Sequence, residues 1–560
     1  MGARRLLAVA LAASCSINVL GGNVQKSGLK VPAKYSAQKT AVVGIFNDSY
    51  SAYKKYAWGH DDLSPVSLSY SDPFQGWGAT IADALDTMYI MGMLDLFEEA
   101  VNYTSTIDFS TSKTDSAVEY VRSCITLVQS SDLSSSVFET NIRYVGGYLS
   151  AYELSGGKYP VLVEKAEQIA AGLAYAWVGD LAAPYNYVNF TDHQAVVDTT
   201  NIAQVGTITL EFGTLTKHTG NATYKALAEK ATKAIIALED PLPGLAAQGY
   251  DVTDGTSIGS YVTWGGGSDS YFEYLIKYPR LTNTDDTAYV KEWQLAVDTS
   301  IKTLLRNSTV GNFLYLADFD GEDIRHVGSH LACFYGGNWI LGGALLNNQT
   351  IIDYGLQLTD ACWNTYASTL TGIGPETFAF ESSDGNYTGG DAPTAAQSAF
   401  YNEHGFYITG TDYILRPEVL ESNFYAWRYT GNTKYLDNAA AAVASFNKYL
   451  PATAGFSGIN DVTQANSSRI DDQESFWFAE VLKYLYLTFD EPSHISLDEW
   501  VFNTECHPFK APKAPSSYAP SPSIEPLTTP QPFKVVSGEI PAISPNAYLP
   551  VPIKTLLNIP

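Results

Sequence analysis

The chain has 560 residues, 45% of them hydrophobic and 16% charged, so there is enough apolar material for a large core. Acidic residues outnumber basic ones 59 to 33, for a net charge of −26. That balance argues against nucleic acid or an anionic membrane surface as partner, since both are met by basic patches. It suits a soluble protein with a neutral substrate and leaves carboxylates for acid–base work or metal binding.

The chain opens MGARRLLAVALAASCS. Arg4 and Arg5, an apolar run from Leu6 to Ala13 and the small residues that follow form the pattern of a secretory signal peptide, ending near residue 22. The run is about half the roughly 20 residues a membrane span requires, so stable membrane insertion is not expected. Eight Asn-X-Ser/Thr sequons, at Asn47, Asn102, Asn189, Asn221, Asn307, Asn348, Asn386 and Asn466, support a secretory-pathway glycoprotein. Beyond the leader stand only four cysteines, Cys124, Cys333, Cys362 and Cys506, too few for a disulfide scaffold.

From about residue 40 to 507 the reading is mainly helical. Helical spacing of apolar residues marks Ile81–Glu99, Glu211–His218, Ser270–Ile276, Val290–Leu305 and Glu474–Leu487. One phrase recurs three times: YELSGGKYPVLVEKAEQIA from Tyr152, TKHTGNATYKALAEKATKAI from Thr216 and WRYTGNTKYLDNAAAAVASF from Trp427. Each reads as a helix end, a glycine turn and an Ala-rich helix. Gly156 and Gly220 lie 64 residues apart, room for two helical hairpins, and Gly431 lies 211 further on. The spacing predicts helical hairpins closing into an α/α barrel; an open solenoid or an irregular bundle would carry the same repeats. From Pro508 the composition changes, with thirteen of the 26 prolines in the last 53 residues. Residues 508–560 read as a Pro-rich flexible tail, either a linker or a segment lying along the domain.

Several acidic residues stand where helices begin. Pro417 precedes Glu418 and Glu421 in LRPEVLESNF, Pro375 precedes Glu376 in GIGPETFAF, and Glu139 and Arg143 are four apart in SSVFETNIRYVGGYL. Taken singly, each is accounted for by the helix dipole. Several on one closed ring would converge at one end of it. Two carboxylates across a pocket can hydrolyse a glycosidic bond: one protonates the leaving oxygen and the other activates water or attacks. A first-turn carboxylate is biased towards its ionised form, which makes Glu418 the candidate base. VFNTECHPFK offers Thr504 and Glu505 as oxygen donors for a hard cation. An EF-hand loop, HExxH, CxxC and a Gly-rich phosphate loop are all missing from the sequence.

As a set, GWGATIADALDTMYIMGMLDLFEEA, FETNIRYVGGYLSAYELSG, SDSYFEYLIKYP, HLACFYGGNWILGG, YILRPEVLESNFYAWRYTGN, DDQESFWFAEVLKYLYLTF and VFNTECHP resemble glycoside hydrolase family 47, the class I α-1,2-mannosidases. They follow family order over about residues 40–508. The resemblance implies an (α/α)7 barrel and a calcium-dependent, inverting exo-glycosidase that removes terminal α-1,2-linked mannose from high-mannose N-glycans; secretion is expected from the leader, and a monomer is the expected state, though the sequence leaves oligomeric state open. The resemblance assigns Glu139 and Asp269 to the acid side and Glu418 to the base. Arg143 would orient Glu139, and Thr504 would bind calcium directly. Glu211, Glu273, Glu421, Glu474 and Glu505 would surround the cation, its waters and the sugar; His330, Glu376 and Arg416 would line the pocket; Cys333 and Cys362 would pair. The alternative class is a glycan-binding quality-control factor on the same fold with little hydrolysis. Cys506 for Ala, Ser329 and Gln204 for acidic residues, and Gln75 for Gly depart from the family pattern.

Overall fold

The structure, a computed structural model, describes residues 22–110 and 134–518. All but the last residue of the expected leader, Cys124 and the tail beyond Tyr518 lie outside the described residues.

Among the described residues fourteen helices form the ring as alternating outer and inner elements, with Ile202–Gly206 and Ala395–His404 as additional helices. The outer ones are α1 (Ser36–Tyr56), α3 (Leu94–Thr106), α5 (Pro160–Leu173), α7 (Ala222–Ile236), α9 (Ala288–Thr303), α11 (Gln349–Ala367) and α13 (Lys434–Tyr449). The inner ones are α2 (Ala79–Ile90), α4, α6 (Thr209–Thr219), α8 (Asp269–Thr282), α10 (Tyr335–Leu346), α12 (Glu418–Thr430) and α14. Two inner helices contain a π turn. In α4, Val137–Thr140 runs through Asn141–Val145 into Gly146–Leu154; in α14, Trp477–Val481 runs into Leu482–Phe489.

The sequence explains the two layers. In α1 the buried residues Val42, Ile45, Phe46, Ser49, Tyr50 and Tyr53 recur at helical spacing, leaving one face to solvent. In α10 every residue is buried, as its apolar composition on all sides requires. Each inner helix touches the next, α2 to α4, α6, α8, α10, α12 and α14, and α14 returns to α2. The ring is closed, so the fold is the (α/α)7 barrel rather than a solenoid. The recurrent phrases are its inner-to-outer turns: Gly156, Gly220 and Gly431 have φ of 66°, 75° and 67°, a left-handed conformation glycine adopts without steric cost. The segment Ile81–Glu99, read as one helix, is α2 and α3 divided by another such turn at Gly92.

A hairpin plugs the ring. Strands Trp500–Phe502 and Pro508–Lys510 pair antiparallel, and the loop between them enters the barrel. Asn503 donates from its amide to Ile142 O (3.0 Å) and to Glu211 Oε1 (2.9 Å). Gly146 and Gly147 of α4 make room for it: a Cβ on Gly146 would lie 2.7 Å from the Asn503 amide nitrogen. Pro508 therefore belongs to a strand, and residues 511–518 pack against the barrel. Cys333 and Cys362 form a disulfide between the turn leading into α10 and helix α11, while Cys506 is a buried free thiol. Among the described residues no helix is long and apolar enough to cross a membrane.

Candidate active site

The acidic residues singled out in the sequence stand mostly at the N-terminal turns of inner helices. Glu139 lies in the first turn of α4, Glu211 in that of α6, Asp269 in that of α8, and Glu418 and Glu421 in that of α12. Their side chains are near enough to act on one another, Asp269 with Glu273 and Glu418, and Glu480 with Glu418, Glu421 and Glu505 of the hairpin loop. The ring accordingly gathers groups separated by more than 300 residues of chain; Arg143 Nη1 bonds Glu505 directly.

Glu139 is held from both sides of one guanidinium: Arg143 Nε and Nη2 donate to its Oε2 at 3.0 and 2.8 Å. Its Oε1 is buried without a hydrogen-bond partner. Burial pushes Glu139 upward, against the pull of Arg143. Arg143 also contacts Asp83 Oδ2 at 3.3 Å, a carboxylate not singled out in the sequence.

Asp269 has no cationic partner. Burial, then repulsion from Glu273 and Glu418, pushes it up to about 7, despite the backbone N–H of Ser270 donating to it. Glu418 differs. Burial works against its charge, yet the bond from His330 and the nearby Arg416 guanidinium hold it below the usual carboxylate range. His330 Nδ1 lies 2.6 Å from Glu418 Oε2, and its Nε2 lies 2.6 Å from Tyr366 OH. The carboxylate only accepts, so the imidazole donates at Nδ1. Arg416 is anchored by Glu376 through a 2.6 Å bond.

On the other wall, Lys277 is buried against Glu273 and lies 3.9 Å from Glu421. Glu211 accepts from Asn141 (3.0 Å), Tyr274 (2.5 Å) and Asn503 (2.9 Å). Thr504 bonds through its backbone N–H to Tyr274 OH at 3.3 Å, and it is the one partly exposed residue between buried Asn503 and buried Glu505.

A second carboxylate of this cluster was passed over in the sequence. Glu480, within the quoted DDQESFWFAEVLKYL, is repelled by Glu505, Glu418 and Glu421, and burial lifts it well above the usual range. Glu474, singled out there instead, falls in an adjoining group with Asp62 and Asp472, near Arg416. Glu474, assigned by the family resemblance, stands just before the helix begins, while Glu480 lies inside the π turn Trp477–Val481. Lys277 was legible as an i,i+4 partner of Glu273.

Asp62 is 1% exposed, and both carboxylate oxygens lack a hydrogen-bond partner. Burial, then repulsion from Asp472 and Glu474, raises it well above 3.8. A raised carboxyl costs stability as pH climbs above its unfolded value. Asp62→Asn is therefore expected to stabilise the fold at pH 7 by roughly 1–3 kcal/mol, with the gain vanishing towards pH 4. Denaturant unfolding at the two pH values measures it; an unchanged or lowered midpoint at pH 7 would contradict the assignment.

The residues fit a hard cation only in a particular way. Among the described residues no group of three or more His, Cys, Asp or Glu side chains is arranged to hold a metal ion. Glu421, Glu480 and Glu505 are nonetheless all pushed upward by burial and by neighbouring carboxylates, with Lys277 and Arg143 as the facing cations. Such an excess of negative charge suits a cation that keeps most of its waters and takes few protein oxygens, such as those of Thr504.

A closed barrel of seven helical hairpins that gathers buried carboxylates, one held low and one raised to about 7, is the machinery of a glycoside hydrolase. The glycosyl hydrolase family 47 model matches residues 45–511, and the chain belongs to that family. It is 37% identical over 502 residues to a probable mannosyl-oligosaccharide alpha-1,2-mannosidase 1B of Aspergillus clavatus, covering 85% of this chain and 93% of the relative. It is 36% identical over 499 residues to a mannosyl-oligosaccharide alpha-1,2-mannosidase of Penicillium citrinum, covering 85% and 92%. The solved alpha-1,2-mannosidase from Trichoderma reesei superposes with a TM-score of 0.79 at 37% identity, covering 85% of this chain and 99% of that one.

The departures have visible consequences. Gln75 holds a φ of 75° where the family pattern has glycine, and Cys506 holds 60° within the plug loop. Ser329 Oγ accepts the N–H of Ala332 (3.1 Å), and Gln204 accepts from Thr200 (2.7 Å). Among the described residues, Glu139 is bonded by Arg143, Asp269 by Ser270 and Glu418 by His330.

Proposed function

We propose that this chain is a calcium-dependent, inverting exo-α-1,2-mannosidase that removes terminal mannose from high-mannose N-glycans in the secretory pathway or outside the cell. The observation that carries the reading is the contrast between the two carboxylates: His330 and Arg416 keep Glu418 ionised, while Asp269, without a cation, sits near 7. A base and an acid set apart in this way can act together at one pH.

In this reading Glu418 takes a proton from the attacking water, and His330 fixes the carboxylate that receives it. Asp269 stores the proton for the leaving oxygen. Glu139, clamped by Arg143, aligns that side and stabilises positive charge at the anomeric carbon. Arg416 and Glu376 form the wall beside the base. Bound calcium, held by Thr504 with Glu211, Glu273, Glu421, Glu480 and Glu505 around its waters, would orient two vicinal sugar hydroxyls and favour a distorted ring.

The pH profile follows from the two shifts. Activity requires Glu418 ionised and Asp269 protonated, so kcat/KM is expected to fall above an apparent pKa near 7 and to persist into moderately acid solution. Asp269→Asn should abolish the alkaline limb while lowering the rate about 100- to 10,000-fold. An unchanged limb in that variant would shift the proton to Glu139. The substrate is tested by mass spectrometry of products from a nine-mannose glycan: stepwise loss of mannose with α-1,2 selectivity is expected. Intact glycan would leave only a binding role, and cleavage of glucosides in its place would mean another glycosidase.

A further inference from the structure

At the barrel end opposite the acidic cluster, residues 512–518 are hydrogen-bonded to the inner helices. The C-terminal turns of α8 and α10 meet there, and each helix ends on an asparagine in the left-handed conformation, Asn283 (φ 49°) and Asn347 (φ 55°). Asn283 Nδ2 donates to Lys513 O at 2.8 Å, and its Oδ1 accepts from Tyr518 OH at 2.8 Å. Asn347 Nδ2 donates to Ser516 O at 3.3 Å. Between them Arg280, fully buried, donates to Pro512 O (2.8 Å) and to Asp498 O (2.6 Å).

The chemistry is complementary. Proline lacks an N–H and fixes φ, so a segment with prolines at 512 and 515 presents mainly carbonyls along an extended path. The barrel end answers with side-chain N–H donors. A permanently charged guanidinium buried there requires acceptors, and two backbone carbonyls supply them. Residues 512–518 lie past the family match, which ends at 511. They directly continue the hairpin whose tip carries Thr504.

We propose that this end of the barrel is a binding groove for an extended, proline-containing peptide, and that Ala511–Tyr518 of this chain is its occupant, a strap that locks the plug hairpin in the ring. The inference is independent of the substrate.

The test keeps the left-handed turns and removes only the amides. In the full chain carrying Asn283→Gly and Asn347→Gly, the strap predicts a melting temperature lower by about 3–6 °C and cleavage within 511–518 at least about tenfold faster under limited proteolysis. Were the asparagines only turn formers, glycine would serve as well; wild-type melting and cleavage in that variant would overturn the proposal. Truncation gives a second arm. A chain ending at Tyr518 should melt as the full chain does, and one ending at Lys510 should melt lower or fail to fold. Where the shorter chain folds, the synthetic peptide APKAPSSY should restore its melting temperature saturably. Equal melting of the two truncated chains, or no effect of the peptide on a folded chain ending at Lys510, would count against a groove.

Discussion

Glu418→Gln is expected to lower kcat on α-1,2-linked mannobiose about 100- to 10,000-fold while leaving oligomannose binding nearly intact. The substitution keeps the shape of the side chain and its place in the first turn of α12, so the fold persists. It removes the only group of the trio held below the normal carboxylate range, and with it the acceptor for the water proton. His330 would then face an amide in place of an anion and lose its charge-assisted bond. Rates and glycan affinity measured on the same preparation separate chemistry from binding. Residual activity within tenfold of wild type would take the base role from Glu418.

Exhaustive chelation is expected to abolish activity, and added calcium to restore it. The physical reason is the crowding of Glu421, Glu480 and Glu505, each raised by burial and by repulsion from its carboxylate neighbours. A divalent cation relieves that repulsion, so it binds the folded state and not the unfolded one. Calcium at a hundred times its dissociation constant should add about 2.7 kcal/mol of stability, read as a higher melting temperature without reference to turnover. Magnesium is expected to substitute poorly, since it demands a tighter octahedral shell. Indifference of both activity and melting to chelation would remove the metal from the reading.

Much of the architecture was legible in short stretches. The glycine phrases at Gly156, Gly220 and Gly431 mark turns because a left-handed residue after a helix is a local steric matter. The one-sided apolar spacing of the outer helices is likewise local. The ordered motifs carried the family resemblance, and with it the Cys333–Cys362 pair that the structure contains. Glu480 was missed because the resemblance was carried onto Glu474 of the same motif, and only the closed ring sets Glu480 beside Glu505, Glu418 and Glu421. The split of Ile81–Glu99 was missed because Gly92 inside an apolar run reads as a tolerated helical glycine until the chain reverses there.

By itself, then, the sequence determined the elements and the chemical inventory: helices by periodicity, turns by glycine, an acidic balance, and the side chains able to move a proton. Tertiary structure decided what those side chains are. Glu418 and Asp269 both stand in a helix first turn; His330, 88 positions upstream of Glu418, together with Arg416, holds the one low, while burial and repulsion lift the other to about 7. The pairing of Arg143 with Glu505, 362 positions apart, and the capture of the first tail residues by Arg280, Asn283 and Asn347, are of the same kind. Charge states and docked segments depend on desolvation and on neighbours across the ring, and those arise only when the barrel closes.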